Sequence, residues 1–351
     1  MAEGKMRVGL IGLGGMANHH IWLLSKIDEA EITAICDVNP EALRNVGENL
    51  GVSARYEDYA SIVKDPNVDC IISVVPNKFH AEIIDLCIGH GKPLMTEKPF
   101  TVTFEEAKAL KTKYDRSPIR CMVGFSYRYV PAFRYAKELL EQGELGEIRH
   151  IAVEYLQQWG AELFDTPYSW RFSKEMSGSG ALGDLGAHMI DSARYFAGQF
   201  THVAGLLKTF VPERKLPGGS GETAEVDVDD FTAFVAGFEN GAAGVFTTSR
   251  NAVGFGNHLE VTIYGTKGTV QVNSEYPRTV KRWSRRDGEV DSNVSVSDVP
   301  ERFELNQLQD FLNFARGKDT KDTPTFTDGY ENQKIIDLLI QSSAKGVRMD
   351  L

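Results

Sequence analysis

The sequence predicts an α/β protein with an N-terminal doubly wound parallel sheet and a C-terminal α+β domain built on a large, mostly antiparallel open sheet. Three observations predict it. Apolar strand-length segments alternate with helical segments over about the first 125 residues, the pattern of βαβ crossovers. Several strands then follow one another without helices between them. The 351-residue chain also exceeds the ~100–200 residues of one domain, so we predict domains at 1–126 and 127–351.

In the N-terminal domain each apolar strand runs into a segment with helical periodicity. Asn39 and Pro40 form a typical helix start, with asparagine as N-cap and proline in the first turn, and Gly51 is a typical helix end. The same alternation gives the other elements. Strands are predicted at 6–11, 31–36, 70–75, 93–97 and 119–125, and helices at 16–26, 40–50, 78–90 and 103–114.

In the C-terminal domain apolar and polar residues alternate along successive strands, which indicates antiparallel pairing with turns at 239–241 and 265–268. The glycine-rich stretch 217–221 predicts a mobile surface loop or lid. Strands are predicted at 148–157, 201–210, 230–238, 242–249, 259–264 and 269–272, and helices at 131–142, 183–196, 301–316 and 328–345.

The charge balance argues against nucleic acid and anionic membranes as partners. The formal net charge is -11, and such a chain repels phosphates unless its basic residues gather on one face. The densest basic cluster lies beside acidic residues and a glycine, so we interpret it as a solvated hairpin end. It comprises Lys281, Arg282, Arg285 and Arg286, followed by Asp287, Gly288 and Glu289.

The four cysteines, Cys36, Cys70, Cys87 and Cys121, show no CxxC spacing and favour core thiols in a reducing compartment. The N-terminal residues lack the pattern of a secretory signal, and no run approaches the ~20 apolar residues of a membrane span. We therefore expect a cytoplasmic protein.

The first motif is Gly12-Leu13-Gly14-Gly15-Met16-Ala17, a G-x-G-x-x-A between a predicted strand and a predicted helix. Small residues there let backbone amides and the helix N-terminus approach a pyrophosphate. The next strand ends at Asp37, where the dinucleotide fold places a carboxylate against the adenosine ribose. The alternative is a structural glycine turn with Asp37 as a cap.

The second motif is Glu97-Lys98-Pro99, at the carboxyl end of the predicted strand 93–97. Ligands of open α/β sheets bind at this end, so Lys98 can face a ligand. The alternative is a surface lysine before a proline turn.

The third motif is the helical segment 183–191, in which spacings of four and seven place Asp184, His188 and Asp191 on one face. A carboxylate and an imidazole can then converge on one substrate hydroxyl. Alternatively, Asp184 is a helix N-terminal charge and His188 a core histidine. A metal pair is disfavoured, because no further ligands lie at zinc-like spacing.

Together these motifs resemble the Gfo/Idh/MocA oxidoreductases over nearly the whole chain, with Pro76-Asn77, His80 and Tyr127-Arg128-Tyr129 adding to the likeness. The resemblance implies that Lys98, Asp184 and His188 carry the chemistry and that Lys98-Pro99 is a cis peptide. It implies an oligomer formed through the open sheet face. The cofactor residues it implies are Gly12, Gly14, Gly15, Met16, Asp37, Pro76, Asn77, His80, Glu97 and Lys98, and Arg128, Trp170 and Arg171 fall where family members approach substrate.

The function expected from this resemblance is an NAD(P)-dependent dehydrogenase that moves a hydride between the nicotinamide and a carbinol carbon of a sugar, inositol or related polyol. NAD is preferred because Asp37 would repel a 2′-phosphate. Two alternatives stay open: a redox-neutral glycosidase with the same fold, and a non-catalytic NAD-responsive binding protein. Specificity is expected in the loops 155–171 and 251–258. A homodimer or homotetramer is expected.

Overall fold

The computed structural model describes residues 4–219, 221–286, 289–290, 294–318 and 320–351. The chain forms two compact units: the first comprises Met1–Gly124 with Asn306–Glu331, and the second comprises Phe125–Leu305 with Asn332–Leu351. The segment 306–331, which the sequence placed in the C-terminal domain, thus groups with the first unit. Within that unit the Arg316 guanidinium donates to the carbonyls of Gly4 and Glu29. Such pairing joins residues about 300 positions apart, and no local pattern encodes it.

The first unit is built on a six-stranded sheet in the order β3-β2-β1-β4-β5-β6, with every pair parallel. The order reverses between β1 and β4, the place where open α/β sheets bind ligands. Strand β3 and helix α3 were not predicted, because three and six residues are too few to show a period. The elements are β1 Met6–Ile11, α1 Gly15–Leu24, β2 Ala30–Cys36, α2 Pro40–Leu50, β3 Ala54–Tyr56, α3 Tyr59–Lys64, β4 Cys70–Ser73, α4 His80–His90, β5 Leu94–Thr96, α5 Phe104–Tyr114 and β6 Cys121–Val123.

Helix α2 shows why these segments fold as the sequence predicts. The Asn39 carboxamide oxygen accepts from the amides of Glu41 and Ala42, and Gly51 ends the helix in the left-handed region at φ 68°. Both ends predicted for this helix are confirmed. Strands β4, β5 and β6 are buried at every position, as expected of a parallel sheet with both faces covered.

The second unit is built on a large mixed sheet in the order β16-β15-β14-β13-β7-β12-β11-β8-β18, with β17 beside β15. Strands β7 and β12 are parallel and the other described pairs are antiparallel, so the predicted, mostly antiparallel sheet is confirmed. Its elements are α6 Pro131–Glu141, β7 Ile148–Leu156, α7 Lys174–Ser177, α8 Ala187–Ala197, β8 Phe200–Lys208, β9 Glu213–Lys215, β10 Thr223–Glu225, β11 Phe231–Phe238, β12 Ala243–Ser249, β13 His258–Gly265, β14 Gly268–Asn273, β15 Thr279–Arg286, β16 Glu289–Val290, β17 Ser295–Asp298, and after α9 Gln307–Ala315 of the first unit, α10 Phe326–Lys345 and β18 Met349–Asp350.

Two predicted helices differ from the structure. The helix predicted at 183–196 is a π-helical turn over Leu182–Gly186 followed by α8. The helix predicted from 301 begins at 307, because Asn306 caps it by accepting from the Leu308 amide, and a separate 3-10 turn occupies Glu301–Phe303. The glycine-rich stretch 217–221 connects β9 to β10, and its Ser220 lies outside the described residues.

The two faces of the large sheet differ in how far their residues are buried, and its β8 edge is contacted by side chains of α10. Every residue of α8 is buried in this unit. On the opposite face, Leu206, Val235 and Val245 are each about half exposed. At the β8 edge, the amides of Gly205 and Leu207 donate to the hydroxyls of Ser342 and Ser343 on α10, 3.0 and 2.9 Å away.

The basic cluster lies on β15, which pairs with β16 as an antiparallel hairpin, as the sequence predicted; Asp287 and Gly288 lie outside the described residues. The Arg282 guanidinium is paired with the Glu144 carboxylate. In the described part of the chain no helix is long and apolar enough to cross a membrane.

Candidate functional site

The glycine turn after β1 depends on a conformation that only glycine adopts easily. Gly12 has φ 89°, and a Cβ there would lie 2.8 Å from the Val74 carbonyl oxygen. Its amide donates to the Cys36 carbonyl at 2.9 Å. The chain therefore turns tightly between β1 and its neighbouring strands.

Helix α1 opens directly after this turn with its N-terminus accessible. Its N-cap, Gly14, supplies no side-chain hydrogen bond, and Gly14, Gly15 and Met16 are exposed. A Cβ added at Gly14 or Gly15 would meet nothing within 4 Å. A ten-residue helix with an open, uncapped amino end fits the pyrophosphate of a dinucleotide.

Asp37 lies at the end of β2, beside the glycine turn. One carboxylate oxygen accepts from the Leu13 amide at 2.7 Å, and the other accepts from the Asn39 amide at 2.8 Å. Asn39, and not Asp37, is the N-cap of α2. The Asp37 carboxylate links the end of β2 to the glycine turn through the Leu13 amide. A partly exposed carboxylate is thereby fixed where the sequence predicts the adenosine ribose.

The Lys98-Pro99 peptide is cis, and Lys98 is half-buried. The preceding Glu97 lies 3.1 Å from Nε2 of the buried His20 on α1. Burial raises the pKa of Glu97, but the His20 hydrogen bond and the charges of His20 and Lys98 outweigh it, so the net shift is downward. The sequence analysis did not identify His20, because a histidine in the helix α1 has no local pattern that distinguishes it from a solvent-exposed polar residue.

His80 does not present a ring nitrogen to a ligand. Its side chain is fully buried, with Nδ1 2.8 Å from the Pro99 carbonyl oxygen and Nε2 3.0 Å from that of Val75. Burial lowers its pKa against the opposing effect of these two contacts. Both ring nitrogens expected near the cofactor thus face backbone carbonyls, and His80 joins the cis-proline segment to the turn that carries Pro76 and Asn77, the latter also buried.

In the second unit, the predicted catalytic Asp184 lies on the π-helical turn. The buried Asp229 carboxylate holds the start of this turn by accepting from the amides of Gly180 and Leu182 at 2.7 and 2.8 Å. A Cβ at Gly180 would lie 1.8 Å from the Asp229 carbonyl oxygen, so a glycine is required there. Burial raises the pKa of Asp229, although these amides partly oppose it.

Asp184 is paired with an arginine that the sequence analysis did not single out. Arg250 Nη2 lies 3.1 Å from Asp184 Oδ2; the Arg250 side chain is 1% exposed and that of Asp184 is 23% exposed. The guanidinium thus reaches the carboxylate from the buried side and leaves part of it accessible.

His188 is buried against an aromatic wall. Its ring meets that of Tyr127 edge to face at 4.8 Å and lies 6.2 Å from that of Tyr155. The two phenol oxygens are 2.6 Å apart, and the Asn257 carboxamide bonds to both. Burial raises the pKa of both tyrosines, and the nearby Asp184 charge adds to this effect, so both phenols stay neutral hydrogen-bonding groups.

This hydrogen-bond network joins the two loops in which we expected specificity. The Gln157 side-chain amide donates to Asn257 at 2.7 Å, and the Trp159 indole donates to Gln157 at 2.6 Å. The Gly254 amide donates to the Gln158 side chain at 2.9 Å. Loops 155–171 and 251–258 are therefore one connected structure within the second unit.

Asp191 and Arg128 form a buried ion pair with each other. Both carboxylate oxygens of Asp191 accept from the Arg128 guanidinium, at 2.9 and 2.5 Å, and both residues are buried. The spacing argument that grouped Asp191 with Asp184 assumed a regular α-helix, and the π-helical turn changes that spacing. The Arg128 side chain, which the resemblance placed near substrate, is thus paired with a buried carboxylate.

Trp170 and Arg171 lie on the 3-10 turn Trp170–Phe172, half-buried, with the Arg171 guanidinium 4.5 Å from the Trp170 ring centre. Of the predicted catalytic residues, Lys98 belongs to the first unit, and Asp184 and His188 belong to the second. Among the described residues no three His, Cys, Asp or Glu side chains form a group that could hold a metal.

Sequence comparison decides the family. The profile of the oxidoreductase family with an NAD-binding Rossmann fold matches residues 6–125, and that of the GFO/IDH/MocA C-terminal domain matches residues 133–271. The levoglucosan dehydrogenase of Pseudarthrobacter phenanthrenivorans is 36% identical over 292 residues, which are 77% of this chain and 74% of that protein. The chain belongs to the GFO/IDH/MocA oxidoreductase family.

Further proteins of the GFO/IDH/MocA family are similar to this chain in sequence and in structure. The myo-inositol 2-dehydrogenase of Thermotoga maritima is 28% identical over 275 residues, covering 78% of this chain and 77% of that protein. A solved levoglucosan dehydrogenase, in complex with NADH and L-sorbose, superposes with a TM-score of 0.91 at 31% identity over 99% of each chain. The predicted family, the fold class and the class of NAD-binding oxidoreductase are confirmed.

Proposed function

We propose that this protein transfers a hydride between NAD and a carbinol carbon of a sugar, inositol or related polyol. The observation that carries the proposal is the setting of Asp184 and His188. A partly accessible carboxylate and an imidazole lie on one segment, beside a wall of hydrogen-bonding phenol and amide groups. Such a wall suits a ligand that carries several hydroxyl groups.

The chain's own residues would divide the acid–base work. NAD, when bound, supplies the hydride acceptor. In the second unit, His188 accepts the hydroxyl proton in its neutral form; the role proposed for Lys98 of the first unit is to stabilise the negative charge that develops on a substrate oxygen. Asp184 orients the imidazole or holds a neighbouring substrate hydroxyl. Proton removal in step with hydride loss avoids a free alkoxide.

We also propose that NAD is preferred over NADP. The Asp37 carboxylate is fixed by the amides of Leu13 and Asn39, so it cannot easily move aside for a 2′-phosphate. The next residue, Val38, is exposed and supplies no guanidinium that could bind one.

Assembly into a homo-oligomer is proposed from the open sheet face. Leu206, Val235 and Val245 on adjacent strands are 49%, 51% and 55% exposed, an apolar area that a second subunit would cover. Sedimentation at micromolar concentration should give a dimer or tetramer, and a 38.9 kDa monomer would contradict this. The four cysteines are buried free thiols, which supports a reducing, cytoplasmic location.

The experiment that tests the activity is a screen of NAD and NADP reduction against sugars, inositols and their glycosides. Net NADH formed from a free polyol supports the dehydrogenase. Cleavage of a glycoside without net NADH would instead support the redox-neutral glycosidase, and NAD binding with neither reaction would support the non-catalytic binding protein.

A further inference from the structure

Arg250, which directly follows β12, is among the largest fully buried side chains of the described residues. Its backbone is fixed on both sides. The Arg250 amide donates to the Asp230 carbonyl, and its own carbonyl accepts from the Gly160 amide, each at 2.9 Å. A Cβ at Gly160 would lie 2.8 Å from that of Arg250, so the chain needs a glycine there to approach this closely.

The guanidinium of Arg250 joins two predicted parts of the site. Nη2 lies 3.1 Å from Asp184 Oδ2, and Nη1 donates to the Arg171 carbonyl at 3.3 Å. The same group lies 5.0 Å from the Trp159 ring centre and 6.0 Å from that of Phe172. One buried cation thus contacts the predicted catalytic carboxylate, the Trp170–Phe172 turn and the ring of Trp159 in the loop 155–171.

Burying an arginine is costly unless it is paired and hydrogen-bonded. Here the pairing is one-sided, since Arg250 is 1% exposed while Asp184 keeps 23% of its side chain accessible. A pair that served packing alone would have no need of a carboxylate at the surface of the cluster. The arrangement is suited to hold a carboxylate from behind while it meets a ligand.

We propose that Arg250 is a positioning residue for hydride transfer, which fixes the Asp184 carboxylate relative to the Trp170–Arg171 turn. The inference rests on the proposed function and adds a residue to it. Arg250 acts through Asp184, so its contribution should disappear when the Asp184 charge is removed.

A second buried arginine provides a matched control. Arg214 is 4% exposed and lies 4.2 Å from the Phe172 ring centre. Its guanidinium donates to the carbonyls of Gly160 and Thr166, so it supports the same loop. Its described ion pair is with Asp230, at 3.8 Å, and not with Asp184.

The test is a pair of double-mutant cycles with kcat on the best polyol and NAD as readout. The first cycle comprises Arg250→Met, Asp184→Asn and the double variant, and the second replaces Arg250→Met by Arg214→Met. Methionine keeps an unbranched apolar chain between the aromatic rings. Thermal melting of each variant reports whether it folds.

Arg250→Met should lower kcat by about 10²-fold, since misplacing a reacting group by about 1 Å costs this much. In the Asp184→Asn background it should cost less than about threefold, because the negative charge that pairs with Arg250 has been removed and only a neutral oxygen can still accept from it. Arg214→Met should lower kcat by the same factor in both backgrounds. Arg250→Lys, which keeps the charge, should recover part of the activity.

Equal losses from Arg250→Met in both backgrounds would overturn the positioning role and leave the proposed function standing. A wild type that oxidises no polyol would overturn both. If Arg250→Met does not fold, the same cycle is run with Arg250→Lys. An equal loss of kcat with and without Asp184→Asn would overturn the role. A loss of kcat that occurs only when Asp184 is present would support it.

Discussion

The glycine turn of the first unit and the π-helical turn of the second are built in opposite ways. The turn from Gly12 to Met16 depends on backbone conformation, with one partly exposed side chain, Asp37, on its Leu13 amide, and it leaves an exposed helix end. The turn over Leu182–Gly186 is held by buried side chains, with Asp229 on its amides and Arg250 on Asp184. A site that binds through backbone amides can be recognised locally, whereas one that depends on distant side chains cannot.

The difference also assigns the two regions to different steps. Backbone amides bind a phosphate whatever the substrate is, so the first region should govern cofactor binding. Fixed side chains act on the reacting atoms, so the second should govern the chemical step. Variants of each region should separate these effects.

The largest effect is expected from the second region. His188→Ala should lower kcat by at least about 10² to 10⁴, the usual contribution of a positioned acid–base group, with NAD affinity nearly unchanged. Steady-state kinetics and NAD titration measure the two quantities. In the wild type we expect the rate of substrate oxidation to rise with pH, because only a neutral imidazole accepts a proton. This rise should be absent in the variant. Near wild-type kcat would show that His188 is not the base.

In the first region, Gly12→Ala should lower the free energy of unfolding by about 1–3 kcal/mol, because the residue has a positive φ and its Cβ would approach the Val74 carbonyl. NAD affinity should fall with it. Gly14→Ala is the matched control, since its Cβ would meet open space and it should change stability much less. Equal destabilisation by both would contradict this picture of the turn, and melting temperatures provide the comparison.

Asp37 is a side chain of the first region that lies beside the glycine turn, so its substitution tests whether a side chain also determines cofactor binding there. Asp37→Asn removes the charge but keeps an oxygen that can accept from Leu13 or Asn39. The NAD/NADP ratio of kcat/KM should fall by about tenfold or more, because like charges placed together cost several kcal/mol. A wild-type preference for NADP would refute the assignment.

The smallest effect concerns Glu97, whose pKa is lowered in the fold mainly by His20 and Lys98 working against burial. A lowered pKa contributes stability above the unfolded value of about 4.3, and this stability is lost as the pH falls through the folded value. Glu97→Gln should therefore destabilise the protein near pH 7, and by less as the pH falls below about 4. Melting curves of the wild type and the variant at both pH values measure this. A stability difference between the two proteins that is larger in acid than near pH 7 would contradict the prediction.

Local patterns predicted what local physics determines. The N-cap at Asn39, the glycine turn and the alternating strands could be read directly, because a few adjacent residues fix each of them. Arg250 could not: it follows a strand as solvated arginines often do, and its burial depends on Gly160, Trp159 and Phe172, about 80 to 90 positions earlier. The grouping of the segment 306–331 with the first unit could not be predicted either, because it also depends on contacts between residues far apart in the sequence.

The serine hydroxyls at the β8 edge have a consequence for the behaviour of the protein in solution. An open sheet ends in unpaired amides that can recruit a strand from another molecule and begin aggregation. Here β18 pairs with the first part of β8, and Ser342 and Ser343 take the amides of Gly205 and Leu207 farther along. A strand from another molecule therefore finds no free amide at Gly205 or Leu207 of β8, whereas Leu206 on the same strand stays exposed on the open face.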